Sequence, residues 1–191
     1  MVLVLASTSP FRQMLLQRLA LPFEVHSPPV DETPQFNEKP EDLVQRLAIL
    51  KAQAAQSTYP NALIIGSDQV AVVENQILGK PLTHDKAVEQ LCFLSGKKVV
   101  FQTGLCVFNS KTQETLVDLI SFTVKFRALN LEQIDNYLRK EPAYNCAGSF
   151  KSEGLGIALI ENMEGNDPNA LIGLPLIRLI QMLEYFGLSV I

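Results

Sequence analysis

The clearest structural signal in the chain is an apolar run at residues 62–73 with a polar interior. Its flanks read Ala-Leu-Ile-Ile and Val-Ala-Val-Val, and Gly66, Ser67, Asp68 and Gln69 lie between them. Aliphatic and β-branched runs of this kind favour buried strands. We therefore expect a long central strand whose interior carries polar groups.

Helical periodicity and capping residues account for several segments around this strand. Pro10 suits the first position of a helix, and the apolar residues of 43–54 recur at spacings of three and four. Thr83 is a suitable N-cap, and Ser95-Gly96 ends the segment that follows it. The predicted helices lie at about residues 10–19, 43–54, 83–94, 131–140 and 175–186.

The remaining apolar segments predict further strands without a strict alternation with helices. Residues 99–108 and 116–126 are β-rich on either side of a polar turn, which predicts a long hairpin. Shorter strands are expected at residues 2–6, 23–26 and 156–160. This order favours an α/β fold with a mixed central sheet flanked by helices.

Length and charge limit the class of protein. We interpret the 191 residues as a single domain spanning 1–191. The net charge of −4 gives no overall basic field for a nucleic-acid polymer. No run reaches the roughly 20 apolar residues of a membrane helix, and residues 1–6 lack the features of a signal peptide. Three cysteines without a Cys-x-x-Cys favour a reducing compartment, so we expect a cytoplasmic protein without a membrane or nucleic-acid partner.

Familiar catalytic motifs are absent from the sequence. The two histidines, His26 and His84, lack metal-ligand spacing, and there is no Walker loop or G-x-G-x-x-G. A Ser-His-Asp triad has no supporting elbow motif. The remaining candidates are polar residues next to strands and in loops.

Asp68 and Glu32 are the candidate acidic residues. A carboxylate inside an apolar strand is costly unless it is paired or binds a cation, so Asp68 is either a site residue or the cap of a neighbouring turn. Glu32 lies in an acidic loop, where a solvated loop charge is the simpler interpretation.

Residues 7–12 (Ser-Thr-Ser-Pro-Phe-Arg) join a strand to a helix start. The free N–H groups and the dipole of a helix N-terminus favour an anion, and Arg12 adds a planar fork for phosphate oxygens. The alternative is a hydroxyl-capped helix with a surface arginine. Lys51 and Lys80 carry little information alone, although Lys80 lies in a Gly-Lys-Pro turn.

Taken in order, these segments resemble the Maf family of nucleotide pyrophosphatases over nearly the whole chain. Each motif is weak alone, and the ordered set is specific. The segments that carry the resemblance are residues 5–12, 30–32, Lys51, 65–69, 79–82, 147–154 and 173–176.

The resemblance implies a Maf/ITPase-like fold with a cleft between two lobes, and hydrolysis of a nucleoside triphosphate to a monophosphate and pyrophosphate. It also implies a divalent metal, Mg²⁺ or Mn²⁺, and a homodimer. Asp68 matches the family's catalytic acidic residue, as general base, metal ligand or both, and Glu32 is the second candidate ligand. The other matching polar residues, expected to bind substrate, are Ser7, Ser9, Arg12, Lys51 and Lys80.

Three positions bear on which nucleotide such an enzyme would take. Phe11, Gln69 and Glu153 resemble the aromatic, Gln, Glu set of the subfamily that hydrolyses 7-methyl-GTP, where the aromatic residue is often Trp. An aromatic face attracts the flat cation that N7 methylation creates, and a carboxylate accepts hydrogen bonds from guanine. The alternatives are a dTTP/UTP pyrophosphatase of the same family and a nucleotide-sensing regulator of cell division and septum formation.

Overall fold

The computed structural model describes residues 1–27 and 29–191. Its seven strands are β1 Val2–Leu5, β2 Glu24–Val25, β3 Ala62–Val73, β4 Gln76–Leu78, β5 Lys98–Asn109, β6 Glu114–Phe126 and β7 Ile160–Glu164. Its six α-helices are α1 Pro10–Gln17, α2 Pro40–Ala54, α3 His84–Leu94, α4 Leu131–Lys140, α5 Pro168–Ile172 and α6 Leu176–Tyr185.

The strands form one seven-stranded sheet in the order β2-β1-β3-β5-β6-β7, and β4 pairs with β3. β1 is parallel to β2 and β3, whereas the β3–β4 and β6–β7 pairs are antiparallel. The four residues between β5 and β6 are too few for a parallel crossover, so this neighbouring pair is the predicted hairpin. The expected mixed sheet flanked by helices is confirmed.

The chain divides into two compact units. The first unit comprises Met1–Gln69, Gln102–Ile120 and Asp167–Ile191, and the second comprises Val70–Phe101 and Ser121–Asn166. A single domain over residues 1–191 stays a prediction. Among residues 1–27 and 29–191, no helix combines the length and the apolar character needed to cross a lipid bilayer.

The first unit has two apolar clusters that contain alternate residues of β3. Leu63 and Ile65 pack with residues of α1 and α6, such as Leu15 and Leu179. Ala62 and Ile64 belong to the other cluster, whose α2 members are Ala48 and Ala52. Because successive side chains of a strand point to opposite faces, this alternation also decides where the polar residues that follow are directed.

Two glycines let α2 lie directly on the sheet. A Cβ on Gly66 would be 2.0 Å from the carbonyl oxygen of Ala48, and one on Gly104 would be 2.1 Å from that of Val44. No side chain fits in such a gap, so glycine is required for this close approach. The backbone of α2 is thereby held against β3 and β5.

Most predicted elements are present within a residue or two, but the strand expected at residues 156–160 is wrong. Residues Leu155–Leu159 form a 3₁₀ turn, and the strand begins at Ile160. The Leu155 N–H donates to the Glu141 carboxylate, and a Cβ on Gly156 would be 2.3 Å from the Lys151 carbonyl. These tight local contacts hold the segment in a turn. Helix α5, which the Asp167 side chain caps, was not predicted.

Candidate functional site

A lysine of the first unit is held between two carboxylates. Lys51 Nζ lies 2.6 Å from Asp68 Oδ1 and 2.8 Å from Glu32 Oε1. The side chains of Lys51 and Asp68 are only 11% and 13% exposed, whereas that of Glu32 is 60% exposed. A buried pair of this kind is strongly interacting, and removal of either partner leaves an uncompensated charge.

The alternation of β3 explains why Asp68 meets Lys51. Asp68 lies two residues after Gly66, so it is directed to the face of the sheet on which α2 packs. Lys51 lies three residues after Ala48, the residue that Gly66 contacts, and therefore shares that face of the helix. The close contact at Gly66 thus brings an α2 side chain to the polar interior of the strand.

The segment between β1 and α1 carries the predicted anion site. Ser9 caps α1 by accepting a weak hydrogen bond of 3.5 Å from the Arg12 N–H. Ser7 Oγ accepts from the Ser9 N–H at 3.2 Å and from Arg12 Nη1 at 3.4 Å. Ser7, Ser9 and Arg12 are therefore brought together at a helix N-terminus, as the sequence predicts.

The Gly173 carbonyl connects this segment to the middle of β3. It accepts from Arg12 Nε at 2.9 Å and from Ser67 Oγ at 3.0 Å. Burial lowers the pKa of Arg12, and the negative charges of Asp68 and Glu32 act in the opposite direction. A guanidinium stays protonated in proteins, so the first unit presents Arg12 as a cation within electrostatic reach of the two carboxylates.

Gln69 is directed to the opposite face of β3 from Asp68. Its Nε2 lies 3.0 Å from Thr103 Oγ1 and 2.6 Å from the carbonyl oxygen of Ala170, in the middle of α5. The amide nitrogen therefore donates within the protein, and the carboxamide oxygen is the group of Gln69 that is suited to a ligand.

Lys80 and Glu153 belong to the second unit, and both are exposed. Gln90 of α3 contacts the segment of each. Its Nε2 donates to the Gly79 carbonyl at 3.0 Å, and its Oε1 accepts from Ser149 Oγ at 2.5 Å. The segment around Glu153 is also held by α4, because the Glu141 carboxylate accepts from Lys151 Nζ at 3.2 Å.

A family model described as Maf-like protein matches residues 2–186. The chain belongs to the Maf family. The resemblance predicted from the ordered motifs is thereby confirmed.

Curated relatives match the chain over almost its full length. A 7-methyl-GTP pyrophosphatase of Methylobacillus flagellatus is 59% identical over 99% of this chain and 98% of its own. One of Colwellia psychrerythraea is 58% identical over 99% of this chain and 94% of its own. A solved structure of the Staphylococcus aureus Ham1 protein aligns with 66% of this chain and 72% of that chain, at 17% identity and a TM-score of 0.48.

The donors available in this Maf-family chain suit a hard divalent cation only in part. Glu32 and Asp68 supply carboxylate oxygens that both lie within 2.8 Å of the same nitrogen, Lys51 Nζ. Within residues 1–27 and 29–191, no group of three or more His, Cys, Asp or Glu side chains could hold a metal ion. Mg²⁺ is commonly held by one or two carboxylates together with substrate phosphates and water, so the donor set fits a cation that the substrate helps to bind.

Two groups that organise the first unit were not singled out from the sequence. Ser67 and the Gly173 carbonyl lie inside motifs that the Maf resemblance includes, but no periodicity reveals that they meet across 106 residues. The local sequence signal for Gly173 is its place in a Gly-Leu-Pro sequence at a helix end, which favours a left-handed cap. The φ of Gly173 is 116°, in agreement with that signal.

Proposed function

We propose that this chain is a nucleoside triphosphate pyrophosphatase that hydrolyses 7-methyl-GTP to 7-methyl-GMP and pyrophosphate. The observation that carries the proposal is the buried Lys51–Asp68 pair with Glu32, within electrostatic reach of Arg12. Relatives that are 55–59% identical over nearly the whole chain carry the name 7-methyl-GTP pyrophosphatase.

Phosphate binding is assigned to hydroxyl and cationic groups. Ser7 and Ser9 present hydroxyls at the N-terminus of α1, where the helix dipole favours negative charge. We assign Arg12, Lys51 and Lys80 to the triphosphate oxygens. These cations stabilise the negative charge that develops on the leaving pyrophosphate when water attacks the α-phosphorus and the bond from that phosphorus to the bridging oxygen breaks.

Asp68 is assigned to the attacking water. One of its oxygens, Oδ1, accepts from Lys51, which fixes the orientation of the carboxylate. The other oxygen, Oδ2, is then placed to orient the water and to take its proton. In this assignment Lys51 acts both on the phosphates and as the group that positions the base.

Glu32 and Asp68 are the residues that would hold a divalent cation, Mg²⁺ or Mn²⁺, together with oxygens of the substrate. A bound cation of this kind supplies charge neutralisation at the phosphate oxygens. Lys51 Nζ lies between the same carboxylates, so a cation bound there would share these oxygens with the ammonium. Removal of divalent cations with EDTA is expected to stop pyrophosphate release, and added Mg²⁺ or Mn²⁺ is expected to restore it.

Base selection is assigned to Phe11, Gln69 and Glu153. Phe11 is the second residue of α1 and is partly exposed, and an aromatic ring attracts a flat cationic base. Glu153 is exposed and accepts hydrogen bonds only, which suits the N1–H and the exocyclic amine of guanine. The negative charge of Glu153 also favours the positive charge of the methylated base.

The test is pyrophosphate release from a panel of 7-methyl-GTP, GTP, dTTP and UTP in the presence of Mg²⁺. We expect the highest kcat/KM for 7-methyl-GTP. A preference for dTTP and UTP would overturn the substrate while leaving the reaction class intact. No hydrolysis of any nucleotide, with nucleotide binding retained, would overturn the reaction class and favour a regulator of cell division that senses nucleotides.

A further inference from the structure

One side chain of the second unit contacts both segments that carry proposed substrate residues. Gln90 donates through Nε2 to the carbonyl of Gly79, the residue before Lys80. It accepts through Oε1 from Ser149, four residues before Glu153. A single carboxamide therefore uses its donor end on one segment and its acceptor end on the other.

Each of the two segments contains a residue whose backbone lies in the left-handed region. Leu82 has a φ of 65° and Ser149 a φ of 53°, values in the left-handed region that residues with a Cβ seldom adopt. Such conformations persist when the surrounding structure over-determines them. The Leu82 N–H donates to the Tyr144 carbonyl at 3.0 Å, and Ser149, which is fully buried, donates to Gln90.

Gln90 lies on a rigid support. It belongs to α3, which is capped by Thr83 and buries Ala87, Leu91 and Leu94. Its own side chain is only partly exposed, so the two hydrogen bonds are made at the edge of the packed interior. A shift of either segment would break one of the two bonds, because the amide plane fixes the direction of both ends.

We propose that Gln90 is a positioning residue that holds the Lys80 segment through its donor end and the Glu153 segment through its acceptor end, so that one side chain supports phosphate binding and base selection through separate hydrogen bonds. The inference rests on the proposed function, because Lys80 and Glu153 are the groups assigned to substrate. Gln90 itself touches neither the phosphates nor the base in this assignment.

Two substitutions separate the two ends of the amide. Gln90→Glu keeps an acceptor for the Ser149 hydroxyl but replaces the donor to Gly79 by an oxygen that faces a carbonyl. Ser149→Ala removes the hydroxyl and leaves the donor to Gly79 in place. One hydrogen bond corresponds to about a fivefold to tenfold change in a binding constant.

The two readouts are the inhibition constant of inorganic pyrophosphate and the ratio of kcat/KM for 7-methyl-GTP to that for GTP. Gln90→Glu is expected to weaken pyrophosphate about fivefold to tenfold and to change the ratio less than about twofold. Ser149→Ala is expected to lower the ratio about fivefold to tenfold and to change pyrophosphate inhibition less than about twofold. Gln90→Leu is expected to impair both properties.

A matched control and a double mutant make the role specific. Gln45 on α2 also donates from Nε2 to a helix carbonyl, that of Glu41, at 3.1 Å, so Gln45→Glu makes the same chemical change elsewhere and is expected to leave both readouts unchanged. If Gln90 acts through Lys80, Gln90→Glu adds less than about twofold to the loss of pyrophosphate affinity that Lys80→Ala causes.

Equal effects of Gln90→Glu and Ser149→Ala on both readouts would overturn the assignment of one end of the amide to each segment, and multiplicative losses in the double mutant would overturn a role of Gln90 through Lys80. The midpoint of urea unfolding, measured for every variant, separates these outcomes from a loss of folded protein. Should the wild-type protein prefer another nucleotide, the proposed substrate fails, but pyrophosphate inhibition still tests Gln90 with whichever nucleotide is hydrolysed.

Discussion

The two units of the molecule place their candidate functional residues in different ways. In the first unit the charged side chains contact one another, as Lys51 does with Asp68 and Glu32. In the second unit Lys80 and Glu153 are exposed, and the contacts hold the backbone near them through Gln90. A side chain that contacts other side chains is fixed in one position. An exposed side chain whose backbone alone is fixed keeps several rotamers, and a ligand can select one of them.

This difference has an energetic consequence. Substitutions in the Lys51 cluster leave a charge without its partner in a nearly buried place and therefore change stability and chemistry together. Substitutions of exposed side chains usually change stability by less than about 0.5 kcal/mol. We therefore expect substitutions in the Lys51 cluster to lower turnover and stability together, and substitutions of Lys80 and Glu153 to change affinity and selectivity with little change in stability.

The largest effect is expected for Asp68→Asn. The amide cannot accept a proton from water, so kcat should fall by about 10²–10⁴-fold. Because Lys51 loses the charge of its buried partner, the thermal midpoint should also fall by several degrees, and Glu32 remains as the second partner of the ammonium. Pyrophosphate release and thermal unfolding measure the two properties. Asp118→Asn, at a half-exposed pair with Arg178, is the control and should retain kcat; retention of kcat by Asp68→Asn would remove Asp68 as the base.

Lys51→Met should lower kcat/KM on the order of 10²-fold, because it removes a cation from the phosphates and the hydrogen bond that orients Asp68. The variant should also gain more thermal stability from added Mg²⁺ than the wild type does, since the Glu32 and Asp68 carboxylates are left without their ammonium. Lys97→Met, at the exposed pair with Glu74 in the second unit, should change neither property. An equal response of both variants to Mg²⁺ would contradict a cation site at the carboxylates that Lys51 contacts.

Gly66→Ala and Gly79→Ala test the same comparison through the backbone. A Cβ at Gly66 meets the Ala48 carbonyl at 2.0 Å, whereas one at Gly79 has no neighbour within 4 Å among the described residues. Gly66→Ala should lower the free energy of unfolding by about 1–3 kcal/mol, since α2 must move off β3. Gly79→Ala should change it by less than about 0.5 kcal/mol. Urea titrations decide between this result and equal losses at both positions.

The smallest effect is expected for Glu153→Gln. The amide keeps one acceptor for guanine but loses the charge that favours a cationic base, so the ratio of kcat/KM for 7-methyl-GTP to that for GTP should fall about tenfold. Stability should not change, because the side chain is exposed. Glu161→Gln, exposed on β7, serves as the control. An unchanged ratio would remove Glu153 from base selection.

The sequence predicted elements well wherever a local rule decides them. Thr83 caps α3 as predicted, and the helix at 83–94 was predicted almost to the residue. The helix at 131–140 was predicted equally well, and the structure adds a capping box at Asn130. The segment after Gly154 was predicted incorrectly because Glu141, which lies outside that segment, holds the Leu155 N–H. A contact between distant residues carries no signal in a local pattern.

The candidate site likewise combines features that follow from a local pattern with features that depend on contacts between distant residues. Alternation along β3 places Asp68 and Gln69 on opposite faces, and this could be read from the apolar flanks at 62–65. That Lys51 reaches Asp68 depends on the closeness of α2 at Gly66, which only the packed structure reveals. Gln90 could not be identified from the sequence either. A helical glutamine is most often a surface residue, and its two hydrogen bonds depend on the packed structure.

The contact between Arg12 and Gly173 has a consequence for protein synthesis. The guanidinium and its carbonyl acceptor are separated by 161 positions in the chain. At translation rates of 5–20 residues per second, the acceptor is added roughly 8–30 s after the arginine. Until then Arg12 lacks this partner on the ribosome, so a nascent chain that has already folded its early strands cannot yet have completed the proposed phosphate site.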